Sequence, residues 1–165
     1  MARGDVERTV EPAVLDRLID TDPATTAERA MSRAESVQRL KDAVRRDLEW
    51  LLNTRRIAEP APPELEQVTA SLYHYGLPDI SSMSRDSSET QGRLARLVEE
   101  AIATFEPRLS GVKVALVTNE TNRFGELRFV IEGLLRMDPS PERISFDTLL
   151  QTSSGQVKLG GEGNA

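Results

Sequence analysis

The chain has 165 residues, a formal charge of −6 and no cysteine. A negative charge argues against general nucleic-acid binding, which needs a basic face, and the lack of cysteine excludes disulfides and zinc–thiolate sites. Apolar residues make up 38% of the chain, so we expect one core with some of the length outside it. No export signal and no membrane-length apolar run is visible, which predicts a cytoplasmic protein.

The N-terminal third predicts a tail, a docking segment and one long helix. Residues 1–12 mix charges without periodicity and should form a flexible tail. Residues 13–30 form a docking segment and a linker, because an apolar cluster of one or two helical turns is followed by Thr, Ala, Pro and charge. From about Ser32 to Asn53, apolar spacings of three and four predict an amphipathic helix with a stripe at Val37, Leu40, Val44, Leu48 and Leu51, widened by Trp50 and Leu52. Acidic residues follow Arg45 and Arg46 closely, so we expect this face of the helix to be solvated or paired within the chain.

A proline-rich connection and a shaped loop come next. Three prolines predict extended backbone over residues 57–70. Residues 72–80 hold both tyrosines and Gly76, which can take a positive φ, and this composition is typical of a packed loop. His74 is the only histidine and has no triad motif around it, so we expect it to be structural.

A second helix precedes the most specific signal in the chain. Asp86 with Glu89 three residues later predicts a capping box at its start. Its apolar face is formed by Leu94, Leu97, Val98, Ala101, Ile102 and Phe105. A proline at 107 must end this helix near residue 105 or 106.

Glu106, Pro107 and Arg108 form a charged corner fixed by proline. Residues two apart do not face each other on a helix, so we expect Glu106 and Arg108 to reach toward different partners as a recognition element. The alternatives are two solvated charges at a helix end, or Arg108 paired inside the chain with Asp47 or Glu49.

After Gly111 the apolar period changes to two, which predicts strands. The predicted strands are residues 112–117, 127–132 and 144–148. A polar turn at 119–125 separates the first two strands, and a proline-rich break at 137–141 separates the last two. The expected fold is α+β, with two amphipathic helices packed on a small three-stranded, mostly antiparallel sheet.

The single domain spans residues 31–152, and the glycine-rich segment 153–165 should be a flexible tail. Three strands leave two edges, and residues 112–117 and 143–150 are the candidate acceptors of a strand from another chain.

Five segments, in order, resemble the TssE family of bacterial type VI secretion baseplates, which is similar to the "lysozyme-like" wedge protein of contractile phage tails. The segments are Leu15-Asp-Arg-Leu-Ile-Asp20, residues 44–56 with Arg46-Asp-Leu-Glu-Trp-Leu-Leu-Asn53, Tyr75-Gly-Leu-Pro-Asp79, Phe105-Glu-Pro-Arg-Leu109, and the strands around Phe129 and Phe146. The resemblance covers about residues 13–150.

The resemblance implies a structural subunit without catalysis, cofactor or metal. It implies that the protein joins the wedge proteins TssF, TssG and TssK, helps initiate the TssB/TssC sheath, and acts in the cytoplasm where the baseplate docks at the inner-membrane complex. It associates Glu106, Pro107 and Arg108 with partner binding and assembly, and implies no nucleic-acid binding and no direct membrane insertion.

The sequence leaves two other functions open. A peptidoglycan muramidase would use Glu106 as general acid with a second carboxylate about 5–9.5 Å away. Asp79 and Asp86 are candidates for that second group, but no spacing selects either of them, and the chain shows no export signal. A generic cytoplasmic adaptor is the expectation if the family resemblance is coincidental.

Overall fold

The computed structural model describes residues 9–19, 23–24, 31–69, 71–80, 87–117, 126–151 and 154–162. The chain divides into two compact units, Met1–Val44 and Arg45–Ala165. Its elements are helices α1 (Val14–Leu18), α2 (Arg33–Asn53), α3 (Glu66–Thr69) and α4 (Ser88–Phe105), a 3-10 turn at Leu72–His74, and strands β1 (Leu109–Val117), β2 (Glu126–Leu135), β3 (Glu142–Gln151) and β4 (Gln156–Glu162). Residues 1–8, most of the predicted linker, Asp86 and the predicted turn at 119–125 lie outside the described residues.

The first unit holds α1 and the N-terminal half of α2. A capping box starts α2: Glu35 accepts a hydrogen bond from the Ser32 N–H at 2.9 Å, and Ser32 Oγ accepts one from the Glu35 N–H at 3.2 Å. The predicted helical turn near residue 14 is confirmed as α1, and its apolar side chains are exposed. The docking role of this segment stays a prediction.

The predicted apolar stripe of α2 is confirmed from Leu40 to Leu52 except at Trp50, whereas its first member, Val37, is only half-buried. The side chains of Leu40, Val44, Leu48, Leu51 and Leu52 are buried. The prediction that Trp50 widens this stripe is wrong, because the indole is 51% exposed and the Arg46 guanidinium lies over its ring at 5.0 Å. Positions 46 and 50 lie one turn apart on the outer face of the helix, where such cation–π pairs form readily.

The sheet is antiparallel throughout, with the strand order β1-β2-β3-β4. Alternation along each strand places apolar residues on one face, as the period of two predicts. The buried members of this face are Leu109, Phe129, Ile131, Leu135, Ile144, Phe146, Leu150, Val157 and Leu159. Helix α4 and the part of α2 that belongs to the second unit pack on the sheet, and α4 contributes Leu94, Val98 and Ile102 to the core. The α+β class is therefore confirmed.

Four strands, rather than the expected three, form this sheet. The prediction of a flexible tail from residue 153 is wrong for Gln156–Glu162, because β4 pairs with β3 and buries Val157 and Leu159. The added strand also moves residues 143–150 from an edge to the interior, so that candidate acceptor edge is wrong. The connection at 57–70 is not wholly extended either, since it includes α3.

A close approach between two segments fixes the loop before α4. The Leu77 N–H donates to Thr54 O at 2.8 Å, and the Arg56 N–H donates to Leu77 O at 2.9 Å. Gly76 lies between them with φ +105°, and a Cβ at this position would stand 2.3 Å from Thr54 O. The expectation that Gly76 takes a positive φ is confirmed, and only glycine fits here without displacing backbone.

We predict that Gly76→Ala lowers the free energy of unfolding by about 1–3 kcal/mol from backbone conformation, with a further loss from the clash with Thr54. Gly92→Ala is the matched control, because nothing lies within 4 Å of its added Cβ in helix α4. That control should stabilise by roughly 0.5–1 kcal/mol. Urea denaturation of both variants measures the difference, and equal stabilities would contradict the close approach.

Candidate functional site

Main-chain hydrogen bonds hold the charged corner on both sides of Pro107. Helix α4 ends at Phe105, as predicted, and the Glu106 N–H still donates to the carbonyl one helical turn back at 2.8 Å. The Leu109 N–H donates to Glu106 O at 3.1 Å and turns the chain into β1. The sequence break that proline imposes therefore becomes a tight turn from helix to strand.

Arg108 binds back to Glu106 across this turn. Its Nε donates to Glu106 Oε1 at 2.6 Å, and its Nη2 donates to Glu106 Oε2. The same Nη2 donates to Asp47 Oδ2 on α2 at 2.6 Å. We name these three side chains the Glu106–Arg108–Asp47 network.

The geometry corrects one expectation and confirms another. Glu106 and Arg108 do not reach toward different partners, because a turn around Pro107, unlike a helix, brings residues two apart to one side. Pairing of Arg108 with Asp47 is confirmed. Pairing with Glu49 is not observed, since Glu49 Oε1 instead accepts from the Leu159 N–H at 3.3 Å.

The network runs from the interior to the surface. Glu106 is only 4% exposed, and Asp47 at the other end is partly exposed. Asp47 Oδ1 accepts from Arg46 Nε at 3.0 Å and Nη2 at 2.9 Å, which confirms an internally paired face for this stretch of α2. Arg46 in turn stacks on Trp50 at the surface.

Electrostatics favours the charged form of the Arg108 guanidinium. Burial alone would lower the pKa of the Arg108 guanidinium, but hydrogen bonds to Glu106 and Asp47 outweigh burial and raise that pKa above its usual value. Burial, followed by the negative charges of Asp47 and Glu106, raises the pKa of the Tyr75 phenol. The Tyr75 ring packs edge-on against Phe105 with centroids 5.3 Å apart.

Sequence reasoning missed Tyr75 and Trp50 as neighbours of the charged corner. Tyr75 reaches it because the Gly76 turn fastens its loop to the end of α2. The sequence feature that could have indicated this position is that Tyr75 immediately precedes Gly76. Nothing in the local pattern distinguished the exposed Trp50 from a stripe residue.

The arrangement suits a structural junction and does not suit glycoside hydrolysis. Both oxygens of Glu106 accept hydrogen bonds from Arg108 in a buried position, so neither is presented to a substrate. Asp79 pairs with Arg55 at 3.6 Å, and Asp86 lies outside the described residues. Across the described part of the chain, no group of His, Cys, Asp and Glu could hold a metal ion, and no helix is long and apolar enough to span a membrane.

The fold is of the α+β class, and its charge network joins two helices at the start of a strand. A family model described as "Baseplate wedge protein gp25" matches residues 38–140, which is well over half of the chain. The chain belongs to this family of baseplate wedge proteins, which is structural and non-enzymatic. The matched residues include the whole Glu106–Arg108–Asp47 network. No curated protein matched the chain in sequence.

We predict that Arg108→Ala destabilises the fold, because it leaves the buried Glu106 carboxylate without its counter-charge. Loss of one partner of a buried pair costs about 3–5 kcal/mol. For a protein of this size the thermal midpoint should fall by roughly 6–20 °C.

Arg55→Ala is the matched control, because its pair with Asp79 is exposed on both sides. Such a pair contributes about 0–1 kcal/mol. Differential scanning calorimetry of the two variants gives the comparison, and an Arg108→Ala midpoint as high as that of Arg55→Ala would contradict an internal role.

Proposed function

We propose that this wedge protein is the TssE subunit of a type VI secretion baseplate. One observation carries the proposal: the two most TssE-like strings of the chain, at 46–53 and at 106–108, meet in space. Asp47 of the first string pairs with Arg108 of the second at 2.6 Å. Two strings that resemble one family and also form one ion-paired network are a more specific signature than either alone.

In this role the protein joins the wedge proteins TssF, TssG and TssK in the cytoplasm, where the baseplate docks at the inner-membrane complex. Glu106, Pro107 and Arg108 act in assembly by holding and presenting the corner between α4 and β1. Glu106 is buried and Arg108 is engaged with it, so direct contact with a partner falls to Pro107, which is exposed.

The protein also helps to initiate the TssB/TssC sheath. The sheet has two outer strands, β1 and β4, and an edge strand offers unpaired backbone groups to an incoming strand. Strand addition supplies affinity through backbone hydrogen bonds and fixes register through alternating side chains.

We predict that a tagged copy, expressed from its own locus, co-purifies with TssF, TssG and TssK, and that its deletion abolishes fluorescent TssB sheaths. Recovery of TssK distinguishes a secretion baseplate from a phage-tail baseplate. Recovery of phage-type wedge proteins without TssK would overturn the TssE assignment while leaving the wedge family intact.

A second variant tests the corner itself. We predict that Pro107→Ala keeps its fold, since the Leu109–Glu106 hydrogen bond does not involve the proline ring, but recovers less TssF, TssG and TssK. Pro141→Ala, at an exposed proline between β2 and β3, is the control and should recover them normally. Equal recovery by both variants would exclude Pro107 from the interface.

A further inference from the structure

Residues 57–76 form a loop whose two ends are fastened together. The Arg56 N–H donates to Leu77 O at 2.9 Å, and the Leu77 N–H donates to Thr54 O at 2.8 Å. These two bonds join the residues just before the loop to the residue just after it. Compact surface loops with joined ends often carry function, because a fixed base holds their exposed side chains in place.

Hydrogen bonds inside the 57–76 loop give it a defined shape. His74 Nε2 accepts from the Ala61 N–H at 3.3 Å, which joins the proline-rich part of the loop to the 3-10 turn and leaves Ala61 buried. Ser71 Oγ caps this turn by accepting from the Tyr73 N–H at 3.2 Å. The Tyr73 ring meets the His74 ring edge-on, with centroids 5.2 Å apart. A loop held in this way loses less conformational entropy when a partner binds.

Large apolar side chains of this loop face solvent. Leu72 is 79% exposed, and Tyr73 beside it is exposed as well. Both lie on the 3-10 turn, which lies against α3, and the exposed Leu65 directly precedes α3. One exposed leucine needs no explanation, but several large apolar side chains on one ordered loop indicate an interaction site. Tyrosine is also among the residues that contribute most to binding between proteins.

The charged side chains of the 57–76 loop all have the same sign. They are Glu59, Glu64 and Glu66, and the loop contains no lysine or arginine. All three are exposed, and none forms an ion pair with another residue that the structure describes. The nearest arginines, Arg55 and Arg56, precede the base of the loop. Negative charge around an apolar centre favours a basic partner and disfavours acidic proteins, anionic lipid and nucleic acid.

We propose that the 57–76 loop docks a segment of another protein that carries lysine or arginine beside large apolar side chains. The apolar side chains of that segment would pack on Leu72 and Tyr73, and its basic groups would lie opposite Glu64 and Glu66. The proposed function assigns no role to this loop, so the inference goes beyond it. It needs only that a baseplate wedge protein binds other baseplate proteins.

A photoreactive phenylalanine analogue at position 72, in the full chain expressed from its own locus, tests for this partner. Leu134 provides the matched control position, because it is an exposed leucine on β2, outside the loop. We expect position 72 to give an adduct with another protein, whose cross-linked peptide contains lysine or arginine among apolar residues when read by mass spectrometry. Position 134 should give no adduct with that peptide.

An acidic cross-linked peptide, a phospholipid adduct, an adduct with a second copy of this chain, or no adduct at position 72 would each overturn the inference. The same adduct from position 134 would also overturn it, because contact would not be specific to the loop. Absence of TssK from the co-purified proteins rejects the TssE assignment but does not affect the adduct at position 72, so the two failures are distinguishable.

Charge reversal in the chain that carries the analogue gives an independent test. Glu64→Lys should lower the adduct yield from position 72 by about five-fold, because it sets like charges opposite each other. Glu100→Lys is the control, since it makes the same change of charge at an exposed position of α4 and should leave the yield unchanged. Both variants should keep their thermal midpoint within about 4 °C, because they replace exposed charges.

Equal adduct yields from folded Glu64→Lys and Glu100→Lys variants would overturn the electrostatic part of the inference, and with it the basic partner. Salt provides the same test without any substitution. Cross-linking in lysate at about 1 M ionic strength should give a lower yield from position 72 than at about 0.1 M, because salt screens exposed charges. If Glu64→Lys unfolds, this comparison decides, and a yield that salt does not change would overturn the inference.

Discussion

The buried carboxylate of Glu106 is the constraint on which the second unit depends. A buried charge is costly unless an opposite charge and hydrogen bonds meet it, and here Arg108 supplies both to the two oxygens. Arg108 is within reach only because the chain turns sharply at Pro107. Its remaining contact, to Asp47, then fixes α2 beside the start of β1. The buried Glu106 carboxylate therefore links, through Arg108, the end of α4, the start of β1 and the side of α2.

Most of the fold could be predicted from periodicity, and the exceptions have physical causes. Helix α4 and strands β1 to β3 follow their apolar spacing, because burial on one face selects that spacing. Strand β4 has only Val157 and Leu159 as apolar signals among glycines, which is typical of a tail. It becomes a strand because β3 pairs with one side of its backbone and Asn53 bonds to the other side. Strand β3 is only a few residues away in the chain, but Asn53 is more than a hundred residues away.

The candidate site was only partly predictable. The Glu106, Pro107 and Arg108 corner and the option of pairing with Asp47 could be predicted from residue types, because the planar guanidinium of arginine matches the geometry of a carboxylate. The orientation of the two charged side chains could not be predicted. Residues two apart do not face each other on a helix, but this pair spans a turn, where that rule does not apply. The exposure of Trp50 depends on the shape of the whole core, which the local pattern does not contain.

The end of α2 connects the stability of the domain with its two edges. Asp47 anchors Arg108 at the start of β1, whereas Glu49 and Asn53 close β4 at the opposite side of the sheet. These polar residues flank the buried Leu48 and Leu51, so the apolar face that places the helix on the core also places its polar rim on both outer strands. Polar residues of one helix therefore bond to β4 at one side of the sheet and to Arg108, next to the start of β1, at the other, and they fix the position of α2 across the sheet.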